Sequence, residues 1–207
     1  MTTIVLGTTN EGKVRELRLL LSDPRIELVS LEGRVPPDFR VEETGATFEE
    51  NAWLKALAVT SATGLPALAE DSGLEVDALG GAPGVYSARF AGESATDAEN
   101  NVLLLERLRS VGEAERTARF VSVLVLAVPG ENGPERRASA RGELPGRITQ
   151  GLRGDGGFGY DPLFAPVGYG GRTTAELSLE DKNRISHRGQ AARAVLPLLS
   201  AWLDGES

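Results

Sequence analysis

Thr3 to Gly7 is a short run of β-branched and apolar residues, the length of one buried strand and too short for a buried helix. After the polar stretch Thr8-Thr9-Asn10-Glu11-Gly12, apolar side chains recur at Val14, Leu17, Leu20 and Leu21, and this one-faced spacing predicts a helix from Lys13 to Leu21. Ile26 to Ser30 reads as a second strand, followed by an irregular connection through Pro36 and Pro37 to Glu42-Glu43-Thr44-Gly45. Thr47 with Glu50 three residues later forms a capping box that opens a helix through Leu54, Leu57 and Ala58 to Gly64. Leu65 to Ala69 predicts a short buried strand that runs into Glu70-Asp71-Ser72-Gly73. There the chain passes from core-forming to solvent-seeking chemistry in one peptide step, and Gly73 would permit a sharp turn. Taken alone, the segment also reads as a hairpin with a solvated acidic turn.

In the second half, Gly80 to Arg89 is too rich in glycine for regular structure and reads as a shaped loop. Thr96 and Glu99 repeat the capping box and open a helix with Val102, Leu103, Leu105 and Leu108 as its apolar side. Phe120 to Val128 has the continuous apolar character of a central strand, and Glu131-Asn132-Gly133-Pro134 turns it into a polar partner, Arg136 to Leu144. Thr149 to Pro162 reads as a mobile glycine loop presenting Phe158 and Tyr160. Ser178 caps a short helix carrying Lys182. Ser186 opens a terminal helix with Ala191, Ala194, Val195, Leu198, Leu199 and Trp202 inward, kinked at Pro197. Strands alternating with helices point to an α/β fold.

Composition narrows the function. The 207 residues form one soluble domain, able to bury a core without staples. Zero cysteines exclude a disulfide framework and a thiolate metal site, and no apolar run reaches the length of a bilayer span. A cytoplasmic enzyme fits. A net charge of −8 argues against a phosphate-neutralising nucleic-acid surface, so any phosphate is bound locally. Arginine supplies nearly all the positive charge; Lys13, Lys55 and Lys182 are the only lysines, and each stands beside a segment with candidate chemistry.

The first strand, loop and helix form a phosphate cradle: backbone amides at the helix start, the Thr8 and Asn10 side chains and the Lys13 ammonium suit a triphosphate. Gly7 to Lys13 even has Walker A spacing, but Val14 stands where that motif needs a hydroxyl for magnesium, so a metal must be held elsewhere. The carboxylate pair before the second helix reads on its own as a solvated turn, yet Glu43 and Asp71 at the ends of connected elements are also how two separated carboxylates come to share one divalent cation, with Lys55 on the intervening helix. Gly154, Gly156 and Gly159 match a dinucleotide fingerprint, yet no helix can open at Tyr160-Asp161-Pro162, which leaves a base-stacking role for Phe158 and Tyr160. The one histidine, His187, reads on its own as structural, but with Arg188 at a helix start it is also an arrangement of donors for a carbonyl or phosphate oxygen.

In order along the chain, Thr8 to Lys13, Glu43-Thr44-Gly45, Phe48 to Ala52 with Lys55, Asp71 to Leu74, Leu79 to Gly84, Gly157 to Pro162, Ala175 to Leu177, Lys182 and Ser186 to Arg188 resemble the inosine and xanthosine triphosphate pyrophosphatase family, also called Ham1-like. The resemblance implies a long twisted mixed sheet with flanking helices, in two lobes around a nucleotide cleft. It implies hydrolysis of ITP, XTP and their deoxy forms to monophosphate and pyrophosphate, with Mg2+ as cofactor and a homodimer as the assembly. Asp71 then resembles the proton acceptor and a magnesium ligand, and Glu43 a second ligand. Thr8, Thr9, Asn10, Glu11, Gly12 and Lys13 resemble the phosphate loop; Lys55 and Ser72 are further substrate contacts. Phe158, Gly159, Tyr160, Asp161, Lys182, His187 and Arg188 resemble the base and sugar pocket. Arg188 offers only donors, which suits the six-oxo group of hypoxanthine or xanthine and not the amine of adenine. The chain departs from the common family pattern at Thr9 and at Glu70, leaving open whether Glu70 or Glu42 also reaches the metal. A non-catalytic nucleotide sensor and a Maf-like pyrophosphatase acting on modified pyrimidines are the rival classes; release of pyrophosphate from ITP separates them.

Overall fold

The computed structural model describes residues 1–205. Eleven strands and helices follow one another as β1 (Thr2–Leu6), α1 (Glu11–Leu20), β2 (Ile26–Val29), α2 (Phe48–Thr63), β3 (Ala67–Val76), α3 (Asp97–Arg107), β4 (Thr117–Val128), β5 (Glu135–Ile148), β6 (Phe164–Pro166), α4 (Leu179–Ile185) and α5 (His187–Leu203). The six strands form one mixed sheet in the order β2-β1-β3-β4-β5-β6. β1 pairs in parallel with β2 and β3, and β5 pairs antiparallel with β6. An α/β fold with a mixed sheet and flanking helices is therefore what the chain adopts. No helix among the described residues is long and apolar enough to cross a membrane.

The chain divides into two compact units. The first comprises residues 1–71, 122–142 and 188–207; the second comprises 72–121 and 143–187. In the first, alternate residues of the strands serve two cores, because successive side chains on a strand point to opposite faces. Ile4, Leu6, Leu68, Leu124 and Leu126 pack with Val14 and Leu17 of α1 and with Ala191, Val195 and Leu199 of α5. Val5 and Ala67 instead meet Val59 of α2, with Val29 and Leu31. The second unit has its own core, in which Leu74, Val76, Phe120, Leu144 and Ile148 meet Leu104, Leu108, Tyr160, Leu163 and Phe164.

Local signals set the helix ends. Both capping boxes form, Thr47 with Glu50 and Thr96 with Glu99, and Gly64 ends α2 in the left-handed conformation at φ 67°. α1 begins at Glu11, two residues ahead of the expected start, because the Asn10 side chain accepts the Lys13 amide and caps it. Three expectations fail for physical reasons. Glu70 to Gly73 is not a turn: β3 runs through it without a break for ten residues. α3 turns Asn100, Asn101 and Leu104 inward, with Leu108 buried at its C-cap, and leaves Val102 exposed, because the two asparagine side chains bond to backbone at Ala88, Ala91 and Gly159. α5 buries Ala191, Ala192, Val195 and Leu199 while Ala194 and Leu198 face outward, a stripe phased by the buried Arg188 at its start. The helix continues through Pro197.

Candidate active site

The pleat of β3 decides what each acidic side chain can do. Glu70 shares the face of Leu68, toward α1 and α5, while Asp71 shares the face of Ala67, toward α2. The two neighbours therefore enter different surroundings.

Glu70 is fully enclosed. Its carboxylate accepts both oxygens' worth of hydrogen bonding from the Arg188 Nε, at 2.9 and 3.0 Å, and a bond from the Ser122 hydroxyl at 2.8 Å. The Lys13 ammonium lies 3.6 Å away, and a terminal nitrogen of Arg188 donates to Glu16 at 2.5 Å. Positive and negative groups thus alternate through Lys13, Glu70, Arg188 and Glu16. Burial by itself pushes the Glu70 carboxyl up, but the charges of Lys13 and Arg188 and the hydrogen bonds from Arg188 and Ser122 outweigh it and hold the group well below the usual carboxylate range. Burial lowers Lys13, with Glu70 opposing it, and would lower Arg188 were Glu70 and Glu16 not raising it further.

Asp71 is buried with a different retinue. The Lys55 ammonium donates to Oδ1 at 2.7 Å and also lies 3.4 Å from Glu43. Asn51 donates to Oδ2 at 3.4 Å, and its own carbonyl oxygen accepts the Gly45 amide at 2.8 Å. A Cβ at Gly45 would stand 2.7 Å from that oxygen, so glycine is required for the turn carrying Glu43 to dock on α2. Burial raises the Asp71 carboxyl above its ordinary value, Lys55 counters this, and Glu43 adds to the rise. A buried carboxylate pushed up, with a second carboxylate near it, is the environment of a general base.

The loop before α1 stands beside these groups. Gly7 runs close against β3, where a Cβ would meet Ala69 at 2.8 Å, and the Thr8 hydroxyl accepts the Asn10 amide at 3.2 Å. Thr9, Asn10 and Glu11 are exposed, Gly12 and Lys13 half-buried. With the Lys13 amide taken by the Asn10 cap, the amides of Glu11 and Gly12 remain as the helix-start donors for an anion.

The second unit gathers the other expected residues. Asp161 closes the glycine loop on itself: Oδ2 accepts the Phe158 amide at 2.8 Å and the Lys182 ammonium at 2.7 Å, and Oδ1 accepts the Thr174 hydroxyl at 2.7 Å. Gly157, at φ 80°, is the one residue type that fits, since a Cβ would lie 2.1 Å from Asp161. Asp97 accepts the Gly159 amide and Asn101 donates to its carbonyl, so α3 anchors the same loop. Phe158 is exposed with Lys182 5.0 Å above its ring, a flat surface ready for stacking. Tyr160 is not presented with it. Its ring is in the core and its hydroxyl donates to the Ser87 carbonyl at 2.9 Å, which corrects the expectation of two stacking aromatics. His187 stacks on Phe120 at 5.0 Å. Ser72 follows Asp71 on β3 as the first residue of this unit.

Glu42 is exposed, and Glu70 is engaged on the far face of β3 from Asp71. Sequence reasoning missed Asn51, Glu16 and Ser122. Asn51 had a readable signal, because it stands four residues before Lys55 on the face of α2 that also carries Ala52 and Ala56. Glu43 and Asp71 are the oxygen donors placed to take a hard cation. They already share the Lys55 ammonium, and Mg2+ is commonly held by only one or two carboxylates, its remaining positions filled by water and phosphate. No group of three or more His, Cys, Asp or Glu among the described residues is arranged for a metal.

Residues 4–198 match the model of the Ham1 family. The chain is 54% identical over 205 residues to the dITP/XTP pyrophosphatase of Thermus thermophilus, covering 98% of this chain and 92% of that one. It is 50% identical over 206 residues to the dITP/XTP pyrophosphatase of Nocardia farcinica, with 99% and 98% covered. Among solved structures it resembles a HAM1 protein from Coxiella burnetii, with a TM-score of 0.87 and 44% identity over 97% of this chain and 99% of that one.

Removing the Glu70 charge tests the alternating chain. Glu70→Gln should cost about 3–5 kcal/mol in urea unfolding at neutral pH, as expected when a buried ion pair loses one partner. Glu70 is lowered from its ordinary 4.5, so its contribution is present above that value and is lost as pH falls toward the folded one. The deficit between wild type and variant should shrink below about pH 4.5. A deficit that stays constant from pH 7 to pH 3 would show that the carboxylate is not held ionised.

Proposed function

This chain belongs to the Ham1 family, and on that footing we propose that it hydrolyses non-canonical purine nucleoside triphosphates, ITP, XTP and their deoxy forms, to the monophosphate and pyrophosphate. The observation that carries the reading is Asp71, buried, raised above its ordinary value, and set between Lys55 and Asn51 with Glu43 beside them. A nucleotide sensor would gain nothing from carboxylates facing a triphosphate, which they repel.

In this reading the amides of Glu11 and Gly12, with Thr8, Asn10 and Lys13, receive the phosphates. Asp71 takes a proton from the attacking water at its carboxylate, which the rise in its pKa suits, and Asn51 and Lys55 hold that carboxylate in one orientation. Water's oxygen bonds to the α-phosphorus as the bond to the bridging oxygen breaks, so pyrophosphate leaves. Mg2+, held by Glu43 and Asp71 when bound, would supply neutralisation of phosphate charge. Phe158 offers its exposed face to the base. Arg188 is buried, with its Nε on Glu70 and one terminal nitrogen on Glu16. We take the protein to work in the cytoplasm as a homodimer, with Tyr86, the exposed aromatic of the Gly80 to Tyr86 loop, as a contact. Sedimentation should then give twice the mass of the 207-residue chain; the mass of a single chain would refute the dimer.

Asp71→Asn should lower pyrophosphate release from ITP by about 100- to 10,000-fold while nucleotide binding survives. Because the base must be deprotonated, wild-type turnover should fall with decreasing pH as Asp71 takes up a proton. Turnover of the variant within tenfold of wild type would remove Asp71 as the base. Absence of pyrophosphate from ITP and XTP with wild type would overturn the activity itself.

A further inference from the structure

Lys55 occupies an unusual place for a phosphate-binding lysine. Its ammonium is 2.7 Å from Asp71 and 3.4 Å from Glu43, and its side chain is 14% exposed. Asn51 holds Asp71 directly and holds the Gly45 end of the turn that carries Glu43, and the capping box of Thr47 and Glu50 fixes the register of α2 beneath both. The two oxygen donors are thus carried by one framework, and the Lys55 ammonium, on a flexible four-carbon stem, lies between them.

A monovalent ammonium and a divalent ion cannot share that space, since at a few ångströms their repulsion is severe in any medium less polar than water. We propose that Lys55 is an internal competitor for the divalent-cation site of Glu43 and Asp71, a positioning residue that keeps the two carboxylates apart from free metal. This deepens the proposed function, because it concerns the same carboxylates, but it requires no nucleotide.

The test titrates Mn2+ alone into the nucleotide-free protein, reading free Mn2+ by its electron paramagnetic resonance signal. Lys55→Gln should bind Mn2+ at least tenfold more tightly than wild type, and Lys55→Arg, which keeps the cation, should stay within threefold of wild type. Adding Glu43→Gln to Lys55→Gln should abolish the gain, which locates it at these carboxylates. Circular dichroism reports whether each variant folds, and Lys55→Met, which keeps the apolar stem, replaces Lys55→Gln should the latter unfold. Equal or weaker Mn2+ binding by a folded, uncharged variant overturns the proposal. Failure of the wild type to release pyrophosphate from ITP would sink the proposed function and leave this result standing.

Discussion

The alternation of side chains along β3 is the constraint on which the first unit depends. Two adjacent carboxylates in a loop would share one environment and repel each other; on a strand they are sent to opposite faces. Glu70 then meets Lys13, Arg188 and Ser122, and Asp71 meets Lys55 and Asn51. Each negative charge has its own cations, so both can be buried side by side in the chain. The outcomes are opposite: Glu70 is held ionised far below its usual range, and Asp71 is raised above its ordinary value. One strand supplies an inert anchor and a chemically poised group in consecutive residues.

The anchor also ties together elements distant in sequence. Arg188 opens α5 and bonds to β3 and to α1, while Ser122 joins from β4. Buried ion pairs seldom stabilise a protein more than apolar packing of the same volume would, because desolvation offsets most of the attraction. Their value here is placement. Lys13 stands in the first turn of α1, immediately after the loop offered to phosphate, and its ammonium has a fixed charge 3.6 Å away that limits where it can go.

Features with local causes were legible in the sequence. The capping boxes at Thr47 and Thr96, the close of α2 at Gly64 and the continuous apolar run of β4 each depend on residues within a few positions. That Glu43, Lys55 and Asp71 come together was also legible, since an acidic pair flanking a lysine-bearing helix is visible without a structure. The strand character of Glu70 to Gly73 was hidden, because charged and glycine residues in a row imitate a turn when the groups that neutralise them lie elsewhere. Glu16 lies 172 residues from Arg188 and Ser122 lies 52 from Glu70, beyond any local pattern. The inward faces of α3 and α5 were misphased for a related reason: buried Asn100, Asn101 and Arg188 occupy core positions that an apolar count assigns to Val102, Ala194 and Leu198.

The division of labour between Glu70 and Asp71 is tested most directly by a crystal structure of the protein with Mg2+ and ITP in which a methylene group replaces the oxygen between the α and β phosphates. The account predicts the cation on Asp71 and Glu43, with the Glu70 carboxylate still bonded to Arg188 and Ser122. A Glu70 oxygen in the coordination shell of the metal would contradict it.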